Sequence, residues 1–202
     1  MQAETINAEI FTLTYGSMVR QLIADYEDVD EVNKQLDKMG YNIGQRLVDE
    51  FLARSRLARC GSYREVAERI ARQGFSMFLN TAASVTDWNA DGTECTLVRG
   101  VAGHVRALQR RAMRHADAIS RRPLIQVLED NPLTDFVELP EQLSRLSYSN
   151  LLCGVIRGAL EMVNMDVRCV ISKDSLRGAD CTELRLTFVS AAPEAYPFKD
   201  DD

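Results

Sequence analysis

Apolar side chains recur every three or four positions through roughly the first eighty residues, and every second position near the C-terminus. Helices therefore come first and strands later, joined by short turns. That order favours an α+β domain, with helices packed on one side of a small twisted antiparallel sheet, over alternating βαβ units. Ile6, Ile10, Leu13, Met18, Leu22 and Tyr26 give a first helix one apolar face from Ile6 to Tyr26. Val32, Leu36, Met39, Ile43, Leu47 and Phe51 keep the period in a second, from about Asp30 to Ser55. Ser62 followed by Glu65 is the order of a capping box, so a third helix is expected from there to about Asn80.

Beyond it the pattern changes. Val85, Thr86 and Trp88, then Asp91-Gly92, then Thr96, Leu97 and Val98 read as two short strands around a turn. Asn131-Pro132 marks a break, and Asp135 to Leu139 is expected to form a short strand ended by Pro140. Helical spacing returns from Asn150 to Met165. Two further strands, Val167 to Lys173 and Thr182 to Val189, are joined by a turn around Gly178. In the second, Leu184, Leu186 and Phe188 alternate with Glu183, Arg185 and Thr187, so one face of the sheet is buried. At 202 residues the chain fits one domain, expected over 1–189, with 190–202 a loose acidic tail.

With 46% hydrophobic and 27% charged residues the chain is too apolar to be disordered. No run approaches the ~18 apolar residues of a spanning helix, and Met1 to Thr5 lacks the order of a secretory signal, so a soluble intracellular protein is expected. Cys60, Cys95, Cys153, Cys169 and Cys181 are odd in number and have no short paired spacing, so they read as free thiols. A net charge of −6 argues against general nucleic-acid binding. That charge is uneven, because Arg99 to Arg122 holds seven arginines against Asp117 and is +6, leaving −12 elsewhere.

Catalytic chemistry is scarce. His104 and His115, eleven apart, do not share one helical turn as a metal motif requires, and no metal site is expected. There is no phosphate-binding loop, dinucleotide fingerprint or nucleophile elbow. Gly40 with Gly44 and Gly154 with Gly158 lie in strongly patterned helices, where each glycine costs about 1 kcal/mol relative to alanine. Close helix packing within one domain offsets that cost on one reading; on the other, these faces meet a second subunit or a lipid-like ligand.

Several longer strings carry a resemblance. They are Phe11 to Gly16, Val32 to Gly40, Asp49 to Ser55 leading to Arg59-Cys60, Asn131-Pro132-Leu133, Asp135 to Pro140, and Tyr148 to Gly154 with Arg157 to Met162. Together they resemble the third small subunit of the trafficking protein particle (TRAPP) complex, a multisubunit tether and Rab exchange factor of the early secretory pathway. The resemblance runs from about Ala8 to Val189 and omits a basic insertion at about 99–127. It implies helices on a twisted antiparallel sheet and pairing with itself or with other small TRAPP subunits. It also implies a cytoplasmic place at cis-Golgi and endoplasmic reticulum membranes. Exchange on a Rab-family GTPase would belong to the assembled complex rather than to a lone subunit, so the chain itself is not expected to be an enzyme, self-acylation aside.

The resemblance further implies a buried palmitate or similar acyl chain, thioester-linked to Cys60 and running into an apolar tunnel that Gly74 helps keep open. Physical chemistry supports this in part, since Arg59 and the succeeding helix N-terminus both favour the thiolate. A branched side chain at Gly74 is expected to overpack a close helix face and block the chain. A free-standing fatty-acyl binder using the same tunnel is the alternative function, and a self-acylating enzyme a third. Two departures from the family stand out. Residues from about Arg99 to Val127 have no counterpart and read as an inserted loop, as translated noncoding sequence, or as a basic amphipathic helix through Val101, Val105 and Leu108. Deleting them is expected to leave the fold unchanged. The tail begins Ser190-Ala191-Ala192-Pro193, where relatives carry basic residues that reach a GTPase.

Overall fold

The computed structural model describes residues 6–55, 60, 62–81, 83–100 and 131–192. Asn7 opens α1 (Ala8–Asp25), its side-chain oxygen accepting the Glu9 amide at 2.7 Å. Helix α2 (Val29–Ser55) comes next. Ser62 caps α3 (Tyr63–Arg69) by accepting the Glu65 amide, as the sequence predicts. The expected single helix to Asn80 is interrupted, because Ile70–Gly74 forms a π-turn before α4 (Phe75–Leu79). The Phe75 amide there bonds to the Ile70 carbonyl, which frees the Ala71 carbonyl to accept the Ala83 amide at 2.7 Å. The extra residue in the helix thereby ties down the chain entering the sheet.

The sheet holds β1 (Ser84–Thr86), β2 (Glu94–Gly100), β3 (Met165–Lys173) and β4 (Cys181–Ala191), in the order β1-β2-β4-β3 with every pairing antiparallel. Cys95, Leu97, Val167, Cys169, Leu184 and Leu186 are buried in the main core with residues of α2, α3 and α5 (Asn150–Glu161). Arg168, Val170 and Arg185 face solvent from the alternate positions. β2 runs on through Arg99, opposite Thr182, and Gly100, opposite Cys181, so the sheet continues past the expected start of the insertion. The rest of that insertion, and the tail beyond Ala192, lie outside the described residues.

One expected strand is absent. Residues 132–136 form successive turns, because Asn131 holds the chain locally: its carbonyl accepts from Thr134 and Asp135 and its side chain accepts from Leu133, while the Thr134 carbonyl accepts from Val137. Phe136 takes a left-handed φ of 62° there and stands 83% exposed. The helix expected to reach Met165 ends at Glu161, and Asn164, also left-handed, turns the chain into β3.

Helices α2 and α5 run parallel in close contact, and their glycines make that possible. A β-carbon on Gly40 would overlap the Leu151 carbonyl and one on Gly44 the Val155 carbonyl; reciprocally, Gly154 would meet the Asp37 carbonyl and Gly158 that of Tyr41. All four are buried within this chain, which settles their role as internal packing rather than as a subunit face. The Asp37–Arg157 ion pair and the Tyr41–Glu161 hydrogen bond border the same seam.

Candidate functional site

Because the glycines bring α2 and α5 together along one seam, their larger apolar side chains are left to diverge beside it. Ile43, Leu47 and Phe51 from α2, and Leu152, Val155 and Ala159 from α5, form part of the wall of a cavity of about 770 Å³. Val66 of α3, Ile70 and Gly74 of the π-turn and Phe78 of α4 contribute to the same wall. Among the described residues lining it, all side chains but those of Arg69, Asn164 and Cys60 are apolar. Such a volume is that of a site for a sizeable small molecule, and so uniform a lining selects hydrocarbon rather than a polar ligand.

Both residues that the sequence nominates fall on this cavity. Cys60 lines it and is partly buried, and it is the only one of the five cysteines to do so. The others are held elsewhere. Burial pushes the Cys95 thiol up to about 11, beside the Tyr63 hydroxyl 3.7 Å away. A side-chain hydrogen bond with Cys153, and after it burial, raises Cys169 well above the ordinary thiol range. Burial, and then the Glu183 charge, raise Cys181. Arg59, invoked from sequence as a basic neighbour, lies outside the described residues.

Gly74 also borders the cavity, but for a different reason from the one expected. Among the described residues, a β-carbon there would meet one neighbouring atom, Ile70 Cγ2, at 4.0 Å, which is ordinary contact. The helix face is open rather than closely packed, so a larger side chain would project into the cavity without overpacking. The sequence missed the π-turn that places Ile70 and Gly74 on the wall, since helical period carries no mark of one added residue. It also missed the far rim, where exposed Asn164, Ala191 and Ala192 line the cavity.

The model of the family described as transport protein particle (TRAPP) component matches residues 11–187. The chain belongs to the TRAPP component family. Its likeness to subunit 3 proteins of that family spans nearly its whole length. The trafficking protein particle complex subunit 3 of Dictyostelium discoideum is 44% identical over 197 residues, covering 97% of this chain and 90% of the relative. The transport protein particle subunit bet3 of Schizosaccharomyces pombe is 41% identical over 201 residues, 99% of this chain and 93% of the relative. Among solved structures, TRAPP complex subunit 3 from Naegleria fowleri, covalently bound to palmitic acid, matches with a TM-score of 0.76 and 42% identity, covering 95% of this chain and all of that one. Among the described residues of this TRAPP component no helix is long and apolar enough to cross a membrane.

Proposed function

We propose that this chain is a core scaffold subunit of the TRAPP vesicle-tethering complex and carries a long-chain acyl group, palmitate or similar, on Cys60. The carrying observation is that its one cavity-lining cysteine opens onto an apolar space of about 770 Å³, in a fold shared with a protein covalently bound to palmitic acid. The chemistry is thioester exchange. The Cys60 thiolate attacks the carbonyl carbon of an acyl-coenzyme A, a new C–S bond forms, the C–S bond to coenzyme A breaks, and coenzyme A leaves as its thiolate. Hydrocarbon held within the fold is core filling, not a membrane anchor.

Assembly rests on a separate feature. Ile10 and Leu13 lie three residues apart at the start of α1 and are 63% and 65% exposed, with Ile6, just before the helix cap, 73% exposed beside them in sequence; together they are an apolar surface suited to another small TRAPP subunit or a second copy. Guanine-nucleotide exchange on a Rab-family GTPase in ER-to-Golgi transport is then a property of the assembled complex.

Intact mass of the purified protein tests the acyl assignment. One long-chain increment, lost with hydroxylamine and absent from Cys60→Ser, is expected; an increment that survives Cys60→Ser places the lipid on another residue.

A further inference from the structure

The contacts along α5 give the cavity a direction. At the N-terminal end of that helix, Leu151 and Leu152 line it together with Phe11 and Leu133. Three bonds fix this corner: the Thr12 hydroxyl donates to the Pro132 carbonyl, the Tyr15 hydroxyl to the Tyr148 carbonyl, and the Asn131 side-chain amide to the Ser149 hydroxyl at 3.1 Å. At the C-terminal end Val163 and Asn164 line it instead. Cys60 belongs to this second end. Tyr63, three residues on, packs against Phe188 with ring centroids 5.2 Å apart, and Phe188 lies opposite Val167, just past the turn at Asn164. Farther along, the Ala71 carbonyl accepts from Ala83, beside Ser84. Register from Ser84 through Val98 and Glu183 leads to Lys173, the opposite end of β3 from Met165. The wall made by α3, the π-turn and α4 thus runs antiparallel to α5, from Cys60 toward Phe11 and Leu133.

We infer that the cavity gauges the length of the acyl chain on Cys60, with Phe11 and Leu133 as its end-stop, so that sixteen carbons fit and twenty do not. This rests on Cys60 being the acyl site. The stretch from Leu151 to Val163, helical but for its last turn, is about 18 Å long at a rise of 1.5 Å per residue. An extended sixteen-carbon chain is about 19 Å, from bonds of about 1.52 Å meeting at about 111°. Leu133 is fully buried, and its amide is held by the Asn131 side chain at 3.1 Å, so it cannot swing aside. Phe11, half-buried, packs against the same core. Carbons beyond the stop must therefore overpack that corner or leave part of the chain in water. The lining sorts the same way, since Asn164 lies at the end where the thioester carbonyl would sit and the far corner is hydrocarbon.

The test incubates hydroxylamine-treated full-length protein with acyl-coenzyme A of twelve to twenty-two carbons and reads intact mass. Fourteen- and sixteen-carbon chains should load alike, and the twenty-carbon chain about tenfold more slowly. Phe11→Ala should restore twenty-carbon loading to the sixteen-carbon rate, whereas Phe11→Trp should move the limit below sixteen. Should Phe11→Ala unfold, Phe11→Trp decides alone. Loading on Cys60 that is equal across all lengths, or a limit that folded Phe11 variants leave unmoved, overturns the gauge and leaves the acyl reading standing. No increment from any acyl-coenzyme A, or one that Cys60→Ser retains, defeats the acyl reading and the gauge with it.

Discussion

Gly74 shows how one position separates packing from function. Its open surroundings mean that Gly74→Ala should fold at least as well as the parent, helped by alanine's higher helix propensity of about 1 kcal/mol. Gly74→Leu should also fold, yet lose the acyl increment in intact mass because the side chain takes the space the hydrocarbon needs. Normal acyl stoichiometry in a folded Gly74→Leu protein would remove Gly74 from the wall. Tyr15 is a contrasting case of burial. Its hydroxyl donates to the Tyr148 carbonyl, and burial, with Tyr148 nearby, raises its pKa far beyond the phenol range. The folded chain then keeps a proton that the unfolded chain releases near pH 10, so the stabilisation is complete below about pH 10 and declines as pH rises past it. Tyr15→Phe should flatten that alkaline decline, by up to about tenfold in the unfolding constant per pH unit, in denaturant titrations between pH 9 and 11.

At the scale of elements, the seam between α2 and α5 should be the least forgiving part of the fold. Gly40→Ala or Gly158→Ala sets a methyl against a backbone carbonyl, which moves only if the whole helix moves. Overpacking of roughly 1–3 kcal/mol outweighs the gain in propensity, so the melting temperature should fall by several degrees while Gly74→Ala leaves it unchanged or higher. The same seam shows what a sequence makes legible. Gly40, Gly44, Gly154 and Gly158 are visible as an unexplained cost in helices whose other positions favour helix, and four-residue spacing says that something approaches closely. Which surface approaches is a long-range fact that spacing does not contain. Cys60 and Gly74 were legible through resemblance, whereas the cavity joining them depends on how several elements pack. The π-turn was hidden because Ile70 to Gln73 are ordinary helix residues and a lone Gly74 is tolerated in a helix, and the Ala71–Ala83 hydrogen bond that goes with it is tertiary. The strand expected at Asp135 to Leu139 failed because the Asp135 and Val137 amides are already held locally, by the Asn131 and Thr134 carbonyls.

For the molecule as a whole, the apolar stripe on α1 and the cavity are independent features and should fail independently. Ile10→Asp with Leu13→Asp should abolish self-association or co-purification with other small TRAPP subunits, read by light scattering and pull-down, while leaving the acyl increment intact. Loss of both together would mean that the stripe supports the fold. Burying the fourteen methylenes of a palmitoyl chain is worth about 11 kcal/mol before losses, so even partial realisation should raise the acylated protein's melting temperature by roughly 10 °C over the hydroxylamine-treated form. The cavity has a mechanical consequence as well. Unfolding under hydrostatic pressure is driven by the internal void that collapses, and hydrocarbon inside the walls leaves less void to collapse. The acylated chain should therefore show a smaller unfolding volume change and a higher pressure midpoint than Cys60→Ser, a difference in compressibility that sets the two forms apart even at temperatures where both are fully folded.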